Sequence, residues 1–390
     1  MFSIGSLRGR RGVVGTAVAA AAAAAIGLAA PAMAAPGAGP AAASAAVPWS
    51  KVGPGWSLAL YSASTGGEGI KARHGSETLY LVNPAGGRYH LFTWAASSSR
   101  SDWQLQAWSG DVRRALFTGE SVYGKPTRVY QLQLRTGAVS SFTLPARVEL
   151  IGYTRPDGLN VLTQDGMVAS LSSKVSLQRY NLAGKLQKTL ARITYLSGAV
   201  YQPAGGVLAA GTLHGVDVVS NSGGVVRSIS VPGVKLGCSV ARWWSTTTIL
   251  ASCAVPNEAG PRLWLVPANG GRPTAMTPVR KGPFDVGDFN AWQLSSGLYV
   301  DGYGACGSLV IGRQPAHGPE RQVNVPGAAS SLIVNATRSQ LEVERINGCS
   351  PGISLVWFNP ATRALKVAIG DGHNQFGVVN VQPYYIAGKY

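Results

Sequence analysis

Apolar and polar positions alternate along most of this chain in short runs, and each run stops at a turn bearing glycine, asparagine or proline. The same unit returns about every 40–50 residues, a period filled with strands and turns rather than helices. It reads Leu79-Tyr-Leu-Val-Asn-Pro-Ala-Gly-Gly-Arg, Val129-Tyr-Gln-Leu-Gln-Leu-Arg-Thr-Gly-Ala and Leu177-Gln-Arg-Tyr-Asn-Leu-Ala-Gly-Lys. It continues as Val216-Asp-Val-Val-Ser-Asn-Ser-Gly-Gly, Leu263-Trp-Leu-Val-Pro-Ala-Asn-Gly-Gly-Arg, Leu309-Val-Ile-Gly-Arg and Leu355-Val-Trp-Phe-Asn-Pro-Ala-Thr-Arg. Repeated strand–turn–strand units that cannot bury both faces alone predict an all-β fold, a β-propeller.

Each motif fits the outer half of a blade, and a second pattern precedes it. In Leu105-Gln-Ala-Trp-Ser-Gly-Asp-Val-Arg-Arg-Ala-Leu-Phe, a first strand ends near Trp108 and Ser109-Gly110-Asp111 turns the chain into a second. Residues 148–162, with the turn Arg155-Pro-Asp-Gly158, repeat it, as do 240–252, 291–300 and 332–343. Joining the halves gives seven units at 53–93, 103–145, 148–191, 199–232, 239–276, 289–326 and 331–369. The first unit lacks an innermost strand, and Phe376-Gly-Val-Val-Asn-Val-Gln-Pro-Tyr-Tyr is a strand without a blade. Pairing the two closes the ring and removes an exposed edge. The expectation is seven blades of four antiparallel strands. If residues 52–56 supply the missing strand instead, the count of six stays open.

Trp108-Ser-Gly-Asp111 followed by Arg113-Arg-Ala-Leu-Phe117, with the strand–turn pieces at 79–88 and 263–272, resembles the propeller repeats of the TolB-like and WD-type-like families. Those repeats usually carry Ser-Pro-Asp-Gly at the inner turn, which only Arg155-Pro-Asp-Gly158 approaches here. The resemblance covers most of the chain as fold. It implies a secreted or periplasmic propeller used for protein contacts, and it carries over no catalytic residue because the shared motif is structural.

The first 34 residues read as a signal peptide. Arg8, Arg10 and Arg11 precede an Ala-rich apolar stretch, and Ala32-Met33-Ala34 is a small-x-small cleavage site. Residues 35–52 form a flexible Ala/Pro/Gly-rich linker, without charge or periodicity over 35–48, and 53–390 the propeller domain. After Trp56 no apolar run is long enough to span a bilayer, so the mature chain is expected to be secreted, not membrane-spanning, and a monomer. The formal net charge of +17 loses only three arginines with the leader. That excess suits a protein or an anionic wall or envelope polymer. The basic residues are scattered singly, which argues against a nucleic-acid partner.

Four cysteines in an exported chain are expected to pair, with three connectivities open. Cys238 begins the first strand of the fifth unit and Cys253 ends the second, at one face of neighbouring strands. Cys306 and Cys349 occupy equivalent loops of adjacent units. The predicted bonds are therefore Cys238–Cys253 and Cys306–Cys349. No Cys-x-x-Cys spacing supports a zinc site.

In a propeller, ligands usually meet the mouth of the central channel. Placing the loops there selects Asp102, Asp285, Asp288, Asp371 and His373 as candidate ligand-binding residues, with Glu120, Glu258 and Asn374 farther out. Carboxylates from different blades can converge on a cation or act as an acid–base pair; equally, Asp and Asn cap turns. No Gly-x-Ser-x-Gly, His-Glu-x-x-His or phosphate loop is present, and no cofactor is called for. The expected function is a binding or interaction module of the cell envelope. The alternative is a metal-assisted, lactonase-like hydrolase using the channel-mouth carboxylates, and a third is carbohydrate recognition through exposed Trp103 or Tyr123.

Overall fold

Strand burial follows position within a blade. Arg114–Thr118, a second strand, is buried at every residue, because blades cover both its faces. Val139–Leu144, the outer strand of the same sheet, leaves most of its side chains wet. The computed structural model describes residues 46–64, 74–94, 103–119, 124–279, 287–304, 308–346, 352–370, 378–384 and 388. They form seven four-stranded antiparallel sheets. The expected leader and the first part of the linker lie outside the described residues.

Blade one is Val378–Pro383, Ser57–Ser64, His74–Val82 and Arg88–Trp94, in that order from the axis outward. The strand from the far end of the sequence is thus its innermost member, paired from Ser57↔Pro383 to Ser62↔Val378. Residues 52–56 do not compete for the place: Trp49–Lys51 is a 3-10 turn, and Trp56 N–H closes a further turn on Gly53 O. Blades two to seven follow in chain order. Their inner strands are Gln104–Trp108, Val148–Tyr153, Ala199–Tyr201, Cys238–Trp243, Asp288–Leu294 and Ser330–Ala336. The inner strands of blades one and two, two and three, four and five, five and six, and seven and one touch one another, which sets them around an axis.

The core is divided among the seams. Leu58, Leu79, Trp94, Trp103 and Phe117 join blades one and two. Trp243, Ile249, Val216 and Trp264 join four and five, and Trp292, Ile333 and Phe358 join six and seven. Trp243 and Trp244 face opposite seams, as expected of consecutive residues at a strand end. Cys238 and Cys253 are directly opposite across blade five and form a disulfide, Cα–Cα 4.0 Å. Cys306 and Cys349 lie outside the described residues. Among the described residues, no helix is long and apolar enough to cross a membrane.

Candidate functional site

Of the five residues selected from the sequence, Asp288 is described; Asp102, Asp285, Asp371 and His373 lie outside the described residues, with Glu120, Asn374 and Tyr123. Asp288 is the first residue of the blade-six inner strand and is 1% exposed. Its backbone is fixed from both sides: its N–H donates to Pro261 O at 2.8 Å, and Ser252 Oγ of blade five donates to its carbonyl at 2.5 Å. Glu258 forms an ion pair with Arg262 at 3.2 Å. Trp103 corrects an expectation. It is buried, stacked on Tyr130 at 4.6 Å and packed on Trp94 and Phe117, because the run it begins turns inward between blades.

Buried ionisable groups run through blades five, six, seven and one. Arg242 of blade five donates to Asn290 Oδ1 at 3.0 Å and to the carbonyl of Ala291. Its guanidinium lies 3.9 Å from the Trp292 ring centroid and 5.4 Å from that of Trp244. Two rings supply the cation–π attraction that partly replaces lost hydration. Asp301 of blade six accepts from Trp292 Nε1 at 3.0 Å and from the Ile333 N–H of blade seven at 2.9 Å. Burial pushes its carboxyl well above the carboxylate range, against those two bonds and the charge of Arg242. One blade on, Glu342 Oε2 accepts from Ser57 Oγ of blade one at 2.5 Å, and Asn335 Nδ2 donates to the same hydroxyl at 3.3 Å. Burial pushes Glu342 up to about 8, opposed by its bonds from Ser57 and Asn335.

The two acids share a partner type but not a repeat position: Asp301 pairs near the open end of its hairpin, Glu342 beside the turn. Asn290 faces Asp301 across blade six, and Asn335 faces Glu342 across blade seven, each just after a register shift in the inner strand. Neither pairing was legible in the sequence, because asparagine and acid stand at different separations in the two blades and meet only once the strands pair. The arrangement ties neighbouring blades: each Asp301 oxygen accepts one bond, and Glu342 accepts through Oε2 while its Oε1 is buried without a hydrogen-bond partner. Among the described residues, no group of three or more His, Cys, Asp or Glu side chains is placed to hold a metal.

A different site opens at the seam of blades seven and one. The apolar cluster there, with Ala59, Leu355, Trp357, Ile369 and Val379, ends at the half-buried rings of Tyr61 and Tyr80. Beyond them is a half-open cleft of about 330 Å³, lined by Tyr61, Tyr80, Arg88, Ile369 and Gly370. The exposed Arg88 guanidinium lies 5.8 Å from the Tyr80 ring centroid and reaches Ala368 O at 3.4 Å. Near the opposite ends of the inner strands, Tyr384 donates to Gly110 O of blade two at 2.9 Å, and Gly388 N–H to Trp243 O of blade five at 3.0 Å. Tyr384 and Gly388 thereby contact two separated blades at one mouth of the ring.

Solved structures share this architecture at low identity. Prolyl endopeptidases studied for inter-domain dynamics give a TM-score of 0.50 at 11% identity, covering 84% of this chain and 50% of theirs. Prolyl oligopeptidase B from Galerina marginata gives 0.52 at 9% identity, covering 80% and 51%. The β-propeller domain of the Trilobed protease from Pyrococcus furiosus gives 0.49 at 10% identity, covering 80% and 94%. The chain spans about half the length of the two peptidase structures. No protein-family model matches it, and no curated protein does. At this identity the likeness to the two peptidase structures bears on the fold alone.

Proposed function

We propose that this protein is an exported, seven-bladed propeller that works as a binding module of the cell envelope, with an anionic polymer or an acidic protein face as its partner. One contrast carries the reading. The buried acids Asp301 and Glu342 are bonded across blade seams, whereas the cleft that meets solvent is lined by two tyrosines and an arginine. The chain's basic excess points the same way. The reading includes cleavage after Ala34, so the exported protein should begin at Ala35 by N-terminal sequencing.

The test is retention of the purified protein on immobilised anionic polymer, beside turnover of lactone and ester substrates with calcium or zinc. Salt-sensitive retention without turnover supports the module. Metal-dependent turnover that Asp288→Ala abolishes while the fold survives would replace it with the hydrolase.

A further inference from the structure

From the cleft between blades seven and one, we infer that this propeller binds a carboxylate-bearing sugar ring, a uronic acid unit of a polysaccharide. The inference rests on the anionic-partner reading and assigns it a place and a ligand class.

The lining supplies the parts such a ring needs. A pyranose offers a C–H face that is apolar and weakly positive, and a tyrosine ring offers a negative π-face. Tyr61 and Tyr80 end the seam half-buried, in contrast to Trp94 and Trp103, which close the neighbouring seam completely. Ile369 adds an apolar wall. Arg88 stands at the rim, positioned by the Ala368 carbonyl and the Tyr80 ring. Its bond to Ala368 occupies Nη1 alone, so the planar guanidinium keeps other N–H groups for a carboxylate. Among the described residues, no carboxylate lines the cleft to compete for it. The volume, about 330 Å³, is at the small end of ligand sites and suits one ring rather than an extended peptide.

Calorimetric titration with galacturonate trimer, neutral galactose trimer, free galacturonate and glycerol phosphate polymer tests this. Arg88→Gln and Tyr80→Leu are the cleft variants, and Arg113→Gln, on an exposed turn, is the control. The acidic trimer should bind about tenfold tighter than the neutral one, a difference of about 1.4 kcal/mol. Arg88→Gln should remove that preference, Arg88→Lys restore it only in part, Tyr80→Leu weaken both trimers, and Arg113→Gln change nothing. Thermal midpoints of the variants should match the parent. Affinity rising from free galacturonate to trimer identifies the polymer as the source. Trimer binding unchanged in both cleft variants overturns the site while leaving the anionic-partner reading intact. Tighter binding of glycerol phosphate polymer than of trimer overturns the ligand class. Binding of neither polymer overturns the proposal and the reading together.

Discussion

Two seams of the same ring are built in opposite ways. Between blades one and two the filling is aromatic and aliphatic: Trp56, Leu79, Trp94, Trp103, Trp108 and Phe117. Between blades five and six the apolar cluster shrinks to Trp244, Leu250, Leu263, Ala291 and Val300, and Arg242 takes the remaining space. The repeat dictates strand order and spacing, but not what is packed between blades. Where a long charged side chain enters, rings and carbonyls must surround it, and the seam becomes responsive to charge in a way its neighbour is not.

Removing one side chain from each seam gives the largest effects. Trp103→Ala and Arg242→Ala should each cost about 3–5 kcal/mol in urea unfolding, one through a cavity and the other through loss of a buried cation facing Asp301. The double change Arg242→Met with Asp301→Asn should recover at least half of the second loss, which a purely steric seam would not allow. Next comes pH. The native state holds the Glu342 proton up to about 8, whereas an unfolded chain releases it near 4. The stabilisation is therefore full below about pH 4 and is lost as pH rises toward 8. Unfolding free energy from this group should fall by about 3 kcal/mol from pH 5 to pH 8. Glu342→Gln should flatten that slope, and Trp103→Ala should leave it unchanged.

Replacing Cys238 and Cys253 by alanine should cost about 2–3 kcal/mol, since the bond closes a short loop, with a sequence separation of 15. The smallest effect belongs to the seam of blades two and three, where backbones nearly touch. A Cβ on Gly110 would lie 1.9 Å from Pro156 O, so Gly110→Ala should cost about 1–3 kcal/mol. Gly119→Ala, with nothing within 4 Å of its added Cβ, should cost less than about 0.5 kcal/mol. Equal losses at the two glycines would remove close approach as the cause.

The strands were legible because a two-residue alternation bounded by turn residues survives in every blade, and the orphan strand at 376–385 had only one vacant place to fill. Cys238–Cys253 followed from where blade geometry puts strand ends. Arg242 was not legible: in Ala-Arg-Trp-Trp it reads as an ordinary wet position, and only the neighbouring blade's Trp292 reveals that it is enclosed. Trp103 failed for the converse reason, since a loop-flanking tryptophan gives no sign of which side it turns to. The cleft joins Tyr61, Tyr80 and Arg88 to Ile369 across nearly the whole sequence, and no local pattern announces such a meeting.

The pairing of Ser57–Ser64 with Val378–Pro383 also sets an order of events. Ribosomes deliver the partner of the first strand only after every other blade has been made. Until then blade one is a three-stranded sheet with a bare inner edge, open to any strand that passes. On the export route proposed above, a chain kept extended during translocation would bring both halves of the blade to one compartment before either folds. Ring closure is thus the last pairing to form, and a chain that stops short of residue 378 leaves its first blade without an inner strand.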